Sequence, residues 1–424
     1  MLGSIAFGLF GLSVLIGIAW SFSSHRNRVD WRLVLTGIAL QMMFAIIVIV
    51  VPGGRSFFEY FAKAFVKIVD FSIVGASFIF GDLARVENFG FVFAFQVLPT
   101  IIFFASLMAV LYHLGLMQKL VQGMAWVMLK LLRTSGAESL AVAANVFVGQ
   151  TEAPLVVRPY IQRMTESELF TMMVAGMATI AGAVLAAYIA MLGGGDEAQQ
   201  LFYARHLLAA SVMAAPATIV ISKLLRPEVG ESLTKGDVRI EVEKTATNAI
   251  EAAANGAGDG VRLALNVGGM LLAFTALIAM IDFPLVWLGD ISGIETVIGQ
   301  PLKLSVILGY ILSPLAWVIG VPWGDAVAVG GLIGEKAVTN EFFAYAHLNE
   351  IKDTLSPHAV LISTYALCGF ANFSSIAIQI AGIGGLAPER RPDLARLGLL
   401  AVMGGTLATM MTATIAGVLT SLVS

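Results

Sequence analysis

Eight stretches of this 424-residue chain are apolar for about the 20 residues that a helix needs to cross a hydrocarbon core: 2–20, 33–51, 92–116, 169–192, 206–221, 263–287, 360–383 and 397–423. A chain built this way is an all-α integral membrane protein with eight transmembrane helices, and its solvent is the lipid bilayer. Composition agrees, with 58% hydrophobic and 12% charged residues and a mean hydropathy of +0.87, well outside the soluble globular range. Spans and connections consume the length, so no large soluble domain fits. With 25 Lys and Arg against 28 Asp and Glu, there is no basic excess to neutralise a phosphate backbone, which excludes nucleic acid as a partner.

Lys and Arg fall asymmetrically along the eight spans. The excess marks the cytoplasmic side, which puts both termini outside, with Arg26, Arg28, Lys119, Lys130, Lys223 and Arg390 inside and Arg55, Arg85, Lys303, Lys336 and Lys352 among the fewer cations opposite. The N-terminal run lacks a basic n-region and a small-residue cleavage site, so it is expected to be a retained first span. No lipidation or retention signal is expected at the C-terminus. The one cysteine, Cys368, has no thiol partner and is expected to pack as a small apolar residue.

Two intervals between spans are long, apolar and yet broken by polar residues. The first, 140–160, contains Asn145-Val-Phe-Val-Gly-Gln-Thr-Glu-Ala-Pro154, with arms too short to span on either side. Its ends fall on the same side, so the arms dip in and return, carrying Gln150, Thr151 and Glu152 towards mid-membrane. Irregular backbone at that depth survives only against protein or a watery cavity, and a carboxylate there is a functional candidate. The second interval, 301–357, is interrupted by Pro314, Pro322, Gly324 and Asp325 and carries Asn340-Glu341-Phe342 near its centre. Two opposed re-entrant helical hairpins, each with a Glu at its tip and a following span, form an inverted-repeat transport domain. The alternative is a solvated loop at each tip. The two following spans are polar in the middle, at Thr179 to Gly182 and at Cys368-Gly-Phe-Ala-Asn-Phe-Ser-Ser375, and are expected to be partly unwound; Asn372 is the stronger signal, because a mid-span carboxamide needs partners.

Between the second and third spans, 54–87 mixes Phe57, Tyr60, Phe61 and Phe65 with Glu59, Lys63, Lys67 and Asp70, suiting an interfacial helix or an ordinary packing helix. The charged run 224–259, with Lys235, Asp237, Arg239, Glu241, Glu243 and Lys244, is expected to be a cytoplasmic amphipathic arm. The chain then divides into 1–117, the first three spans with the interfacial helix; 118–192, the first hairpin and its span; 193–288, spans five and six with the arm; 289–383, the second hairpin and its span; and 384–424, the last span.

The three polar motifs together resemble the concentrative nucleoside transporters, bacterial, eight-span and sodium-coupled in type, over the whole chain. The resemblance implies a homotrimer in which each transport domain moves against a trimeric scaffold by alternating access, importing nucleosides such as uridine across a bacterial inner membrane. It implies base contacts from Gln150, Thr151 and Glu152, hydroxyl contacts from Glu341, Asn372 and Ser375, and apolar contacts from Val184 and Phe370. It also implies a co-transported sodium ion on Asn145, Val148, Thr179 and Ile180, with Thr179 standing where another member has Ser. Some members use protons instead, and in that alternative Glu152 or Glu341 would titrate.

Other readings carry less. Gly382-Ile-Gly384-Gly385-Leu-Ala387 fits a dinucleotide fingerprint only on paper, since no strand precedes it. The five histidines show no metal-ligand spacing and are expected at interfaces or in loops, with His347 and His358 the two that bear on pH dependence. An intramembrane hydrolase lacks a base near Ser374, Ser375 or Cys368 in sequence, so the chain is not expected to be an enzyme. A channel lined by the polar tips is the remaining rival.

Overall fold

The computed structural model describes residues 2–85, 88, 90–234 and 246–423, and these are helical with no strand. Helices longer than two turns are α1 (Leu2–Ser21), α2 (Trp31–Ala45), α3 (Pro52–Phe80), α4 (Leu98–His113), α5 (Leu116–Leu132), α6 (Gly136–Asn145), α7 (Glu166–Ala178), α8 (Gly182–Gly193), α9 (Glu197–Leu225), α10 (Ala249–Ser292), α11 (Leu304–Val318), α12 (Ala326–Val338), α13 (Glu341–Ile351), α14 (Pro357–Ala366), α15 (Phe373–Leu386) and α16 (Arg391–Val423). Among the described residues, eight helical stretches are long and apolar enough to cross a membrane.

Those eight are not quite the eight apolar windows of the sequence. The window 360–383 is no single helix: it splits into α14 and α15 around 367–372. Conversely, Pro52–Ala84, expected in the interface, qualifies as a span by length and composition. Its charges reduce their own cost by pairing along the helix, Glu59 with Lys63 at 3.2 Å and Lys67 with Asp70 at 3.5 Å. The 224–259 arm is also redrawn. Residues 249–259 are the first turns of the 44-residue α10, started by Asn248, whose side chain accepts from Glu251 N at 2.9 Å. Helix-favouring Ala252, Ala253 and Ala254 carry it on without a break. Lys235, Asp237, Arg239, Glu241, Glu243 and Lys244 lie outside the described residues. Gly260 lets α10 press against α4, since a Cβ there would sit 2.7 Å from Ile102 Cα.

Burial separates a core from a periphery. The best apolar window is 89% buried in α7 with α8 and likewise in α9, 78% in the stretch ending with α16, but 22% in α3 and 0% in α10. The two tip-bearing segments, α6 with its following turns and α12 with α13, pack with that core. The α6 and α7 starts are built alike: Ser135 and Glu138 form a reciprocal capping box, and so do Thr165 and Glu168. Both are locked to the end of α9, where Lys223 Nζ lies 2.6 Å from Glu138 Oε2 and donates to Ser167 Oγ at 2.9 Å. Lys223, counted by sequence among the cytoplasmic cations, is 6% exposed and therefore a structural residue.

Both spans that follow the tips break near their middles. Thr179 ends α7 in an extended conformation (φ −120°, ψ 171°), and Asn372 opens α15 in another (φ −145°, ψ 166°). The breaks touch: Phe370 N donates to Thr179 O at 3.3 Å. Gly369 is required there, because a Cβ would stand 2.8 Å from Met177 O.

Candidate functional site

The residues singled out by sequence come from four separate places and meet around these two breaks. Asn145 is the last residue of α6 and 1% exposed; Val148 and Gln150 lie in the tip that follows. Thr179 and Ile180 form the first break, Val184 lies in the first turn of α8, and Phe370 and Asn372 lie in the second break. Glu341 opens α13, one residue after Asn340, whose Oδ1 caps that helix by accepting from Phe343 N at 2.9 Å. Ser375 is in the first turn of α15 and 1% exposed.

One hydrogen-bond chain runs through them. Asn372 Nδ2 donates to Glu341 Oε2 at 2.8 Å, and Asn372 Oδ1 accepts from Ser375 N at 2.9 Å and from Ser374 Oγ at 2.7 Å. Gln150 Nε2 donates to Ser375 Oγ at 3.1 Å, and Gln379 Nε2 donates both to Gln150 Oε1 and to Met173 O, each at 3.0 Å. The chain thus links the second tip to the first through α15. A buried array of this kind is held only when its members find partners, and here each tip finds the other.

Thr151 and Glu152 do not join that chain. Both are exposed, and Glu152 faces an open groove of about 1330 Å³ lined also by Phe147, Val148, Gly149, Ala181 and Gly182. The first tip therefore presents two faces, Gln150 towards α15 and Glu152 towards the groove. Gly182 N donates to Phe147 O at 3.1 Å, which staples this tip to the first break.

Beside that staple, Asn145 uses its amide nitrogen on Ala141 O at 2.9 Å, while its Oδ1 is buried without a hydrogen-bond donor among the described residues. The Thr179 hydroxyl donates to Ala175 O at 2.8 Å, leaving its lone pairs free to accept. Val148 and Ile180 add backbone carbonyls that accept none of the turn bonds in this region. An all-oxygen, uncharged set with an orphaned carboxamide oxygen suits a hard cation.

Sequence reasoning missed Gln379, which is fully buried and anchors Gln150. The signal was available: it stands one helical turn after Ser375 within an apolar run. Lys336, counted on the outer side, is 2% exposed and donates to Ala366 O at 2.8 Å. His206, expected at an interface, is 3% exposed within α9 and bonds the Tyr365 hydroxyl at 2.9 Å, because its neighbours on α14 bury it. His347 lies 2.8 Å from Glu335 across the second hairpin. Cys368 is buried at the second break.

Known families match almost end to end. Residues 10–83 and 206–417 match the N-terminal and C-terminal models of the Na+ dependent nucleoside transporters, and residues 94–195 match a nucleoside recognition, or gate, domain. The nucleoside permease NupC of Helicobacter pylori is 40% identical over 427 residues, covering 98% of each chain. The transporter YutK of Bacillus subtilis, itself uncharacterized, is 46% identical over 98% of this chain and 99% of its own. Among solved structures, CNTnw in an inward-facing substrate-bound state superimposes with a TM-score of 0.88 at 45% identity, covering 98% of this chain and 99% of that one. A variant of CNTnw in an outward-facing state gives 0.90 at 44% identity, over 100% and 99%. With an all-helical membrane fold, two polar tips joined across two broken helices, and these matches over its whole length, the chain is a multi-pass membrane transporter, not an enzyme, and belongs to the concentrative, Na+ dependent nucleoside transporter family.

Proposed function

We propose that the chain is a secondary active symporter that imports nucleosides such as uridine, driven by inward sodium flow. The observation that carries this reading is the hydrogen-bond chain from Glu341 through Asn372 and Ser375 to Gln150. Its two ends differ in chemistry. Glu341 and Asn372 offer a carboxylate and a carboxamide, which suit the paired hydroxyls of a ribose, whereas Gln150, with Thr151 and Glu152, offers donors and acceptors for the edge of a base. Val184 and Phe370 supply apolar surface between them.

The same chain suggests how access alternates. The two tips are linked across α15 by side-chain hydrogen bonds, so a substrate that takes over those bonds changes what holds the tips to each other. CNTnw has been solved in an inward-facing state and, as a variant, in an outward-facing one, which supports the same two states here. Sodium on Asn145, Val148, Thr179 and Ile180 would order the first break and the tip stapled to it, lowering the ordering cost of nucleoside binding. Linkage then requires nucleoside to tighten sodium by the same factor.

The lipid-facing helices support a homotrimer in a bacterial inner membrane. Helices α3 and α10 expose Phe78 at 92%, Phe283 at 80% and Leu272 at 75%, surface that lipid or neighbouring protomers would cover. The positive-inside asymmetry supports periplasmic termini, and it is kept when the buried Lys223 and Lys336 are removed, one from each side of the count.

Uptake of labelled uridine into proteoliposomes tests the reading. Uphill accumulation under an inward sodium gradient, without a proton gradient, is the expected result. Accumulation under the proton gradient alone would keep the nucleoside and discard sodium; equilibration without accumulation would indicate a channel; no uptake under either would discard the nucleoside.

A further inference from the structure

The two halves of the transport core repeat one plan, in which a helix ends at a polar tip and the following span breaks. The same 27 residues separate Glu152 from Thr179 and Glu341 from Cys368. At each break a helix ends inside the protein, α7 at Ala178 and α14 at Ala366, and neither carries a basic residue in its last turn. Such an end presents unsatisfied carbonyls and about half a negative charge. Both ends lie at the same place, since Gly369 abuts Met177 O and Phe370 N bonds Thr179 O. Two negative helix ends that meet among buried residues call for positive charge.

The halves answer differently. Beside the α7 end stands the uncharged oxygen set with the orphaned Asn145 Oδ1. At the α14 end stands Lys336, whose ammonium donates to Ala366 O at 2.8 Å and to Thr409 Oγ1 at 3.3 Å. No carboxylate lies within ion-pair distance of it among the described residues, so its partners are the helix terminus and a hydroxyl. A buried ammonium without a contacting counter-ion is costly, and a structural role alone would be served by a neutral donor.

We propose that Lys336 is a tethered counter-cation: its ammonium holds, at the α14 terminus, the place that a mobile cation takes at the α7 terminus, and it ties the arm that leads to Glu341 to the break that presents Asn372. Lys336 is thereby a positioning residue, since it acts through Glu341 and Asn372. The inference rests on the reading of the site as a sodium and nucleoside site.

Uridine binding to the full-length protein in lipid nanodiscs, titrated in a NaCl series with choline chloride at constant ionic strength, tests it in wild type, Lys336→Gln and Lys336→Ala. Lys336→Gln keeps a hydrogen-bond donor without the charge, so it separates charge from scaffolding. The expected result is at least tenfold weaker uridine binding in Lys336→Gln, with an unchanged melting temperature and wild-type steepness in sodium. Lys336→Ala leaves room for an ion at Ala366 O, so its binding should recover as sodium rises, with a steeper sodium dependence than wild type.

Binding by Lys336→Gln within threefold of wild type would overturn the proposal. So would a Lys336→Ala protein that folds but shows no steeper sodium dependence, or no binding at any sodium concentration. If Lys336→Ala does not fold, Lys336→Gln decides alone. Wild type that binds no uridine in sodium would instead remove the underlying reading, before any variant is compared.

Discussion

Asn372 holds Glu341 at 2.8 Å through its Nδ2 while its Oδ1 caps α15 at Ser375 N. One carboxamide therefore ties the tip-borne carboxylate to the start of a helix whose next residues reach the other tip. Rotating or replacing Asn372 would cost a helix cap, about 1 kcal/mol, and would at the same time release Glu341. The position accounts for why a polar residue is kept in the middle of an apolar run.

Glu341→Gln follows directly from this geometry. The amide oxygen of Gln can still accept from Asn372, so the fold of the tip is preserved. What is lost is the charge on the bonds to substrate hydroxyls, and charge-assisted bonds exceed neutral ones by about 1 kcal/mol or more. Uridine affinity measured by calorimetry should fall at least about fivefold. An unchanged affinity would remove Glu341 from the site.

Gln379→Leu tests the residue that anchors the first tip. Leucine matches its bulk but cannot donate to Gln150 Oε1 or Met173 O. With Gln150 freed, the base-facing tip is less ordered, and the KM for uridine should rise by about the fivefold that one lost hydrogen bond implies. The sodium dependence of uptake should persist, because the Asn145 side chain is not part of this chain. A KM equal to wild type would make Gln379 a packing residue only.

How far these features could be read in advance depended on which force set them. The apolar windows, the two broken intervals and Asn372 were legible because burying polar groups in lipid is expensive enough to show in a single sequence. The core hairpins' partners were not: that Gln150 meets Ser375, or that Gln379 joins Gln150 to Met173, is decided by how α7 and α15 cross. Two unforeseen burials share a cause. Lys223 and Lys336 were counted as markers of the inner and outer sides because charge usually lies near solvent, yet each is buried on a partner distant in sequence, Glu138 for one and the α14 terminus for the other. Helix α3 was less decided by its sequence: it is long and apolar enough to span, yet it carries exposed charged pairs along its length, which also suit a helix lying in the interface.

Asn145→Ala removes the orphaned Oδ1 while leaving the staple between Phe147 O and Gly182 N in place. Uridine binding should lose its dependence on sodium: affinities in NaCl and in choline chloride should converge on the weaker wild-type value. Retention of a sodium-induced increase would move the ion away from Asn145, whatever the substrate.

Lys223→Met bears on stability and not on transport chemistry. The Lys223 to Glu138 pair is almost fully buried, with 7% and 3% of the side chains exposed. Removing the cation leaves Glu138 as a buried anion; Glu228, 3.6 Å from Lys223 on its other side, is itself an acid and offers no compensation. Breaking a buried pair from one side costs about 3–5 kcal/mol, so the detergent-solubilised variant should melt well below wild type. Adding Glu138→Gln to Lys223→Met removes the stranded charge, and the double variant should recover part of the loss. The order of melting temperatures, wild type above double above single, is the expected outcome. A single variant as stable as wild type would mean that water reaches the pair and that it does not lock the starts of α6 and α7 to α9.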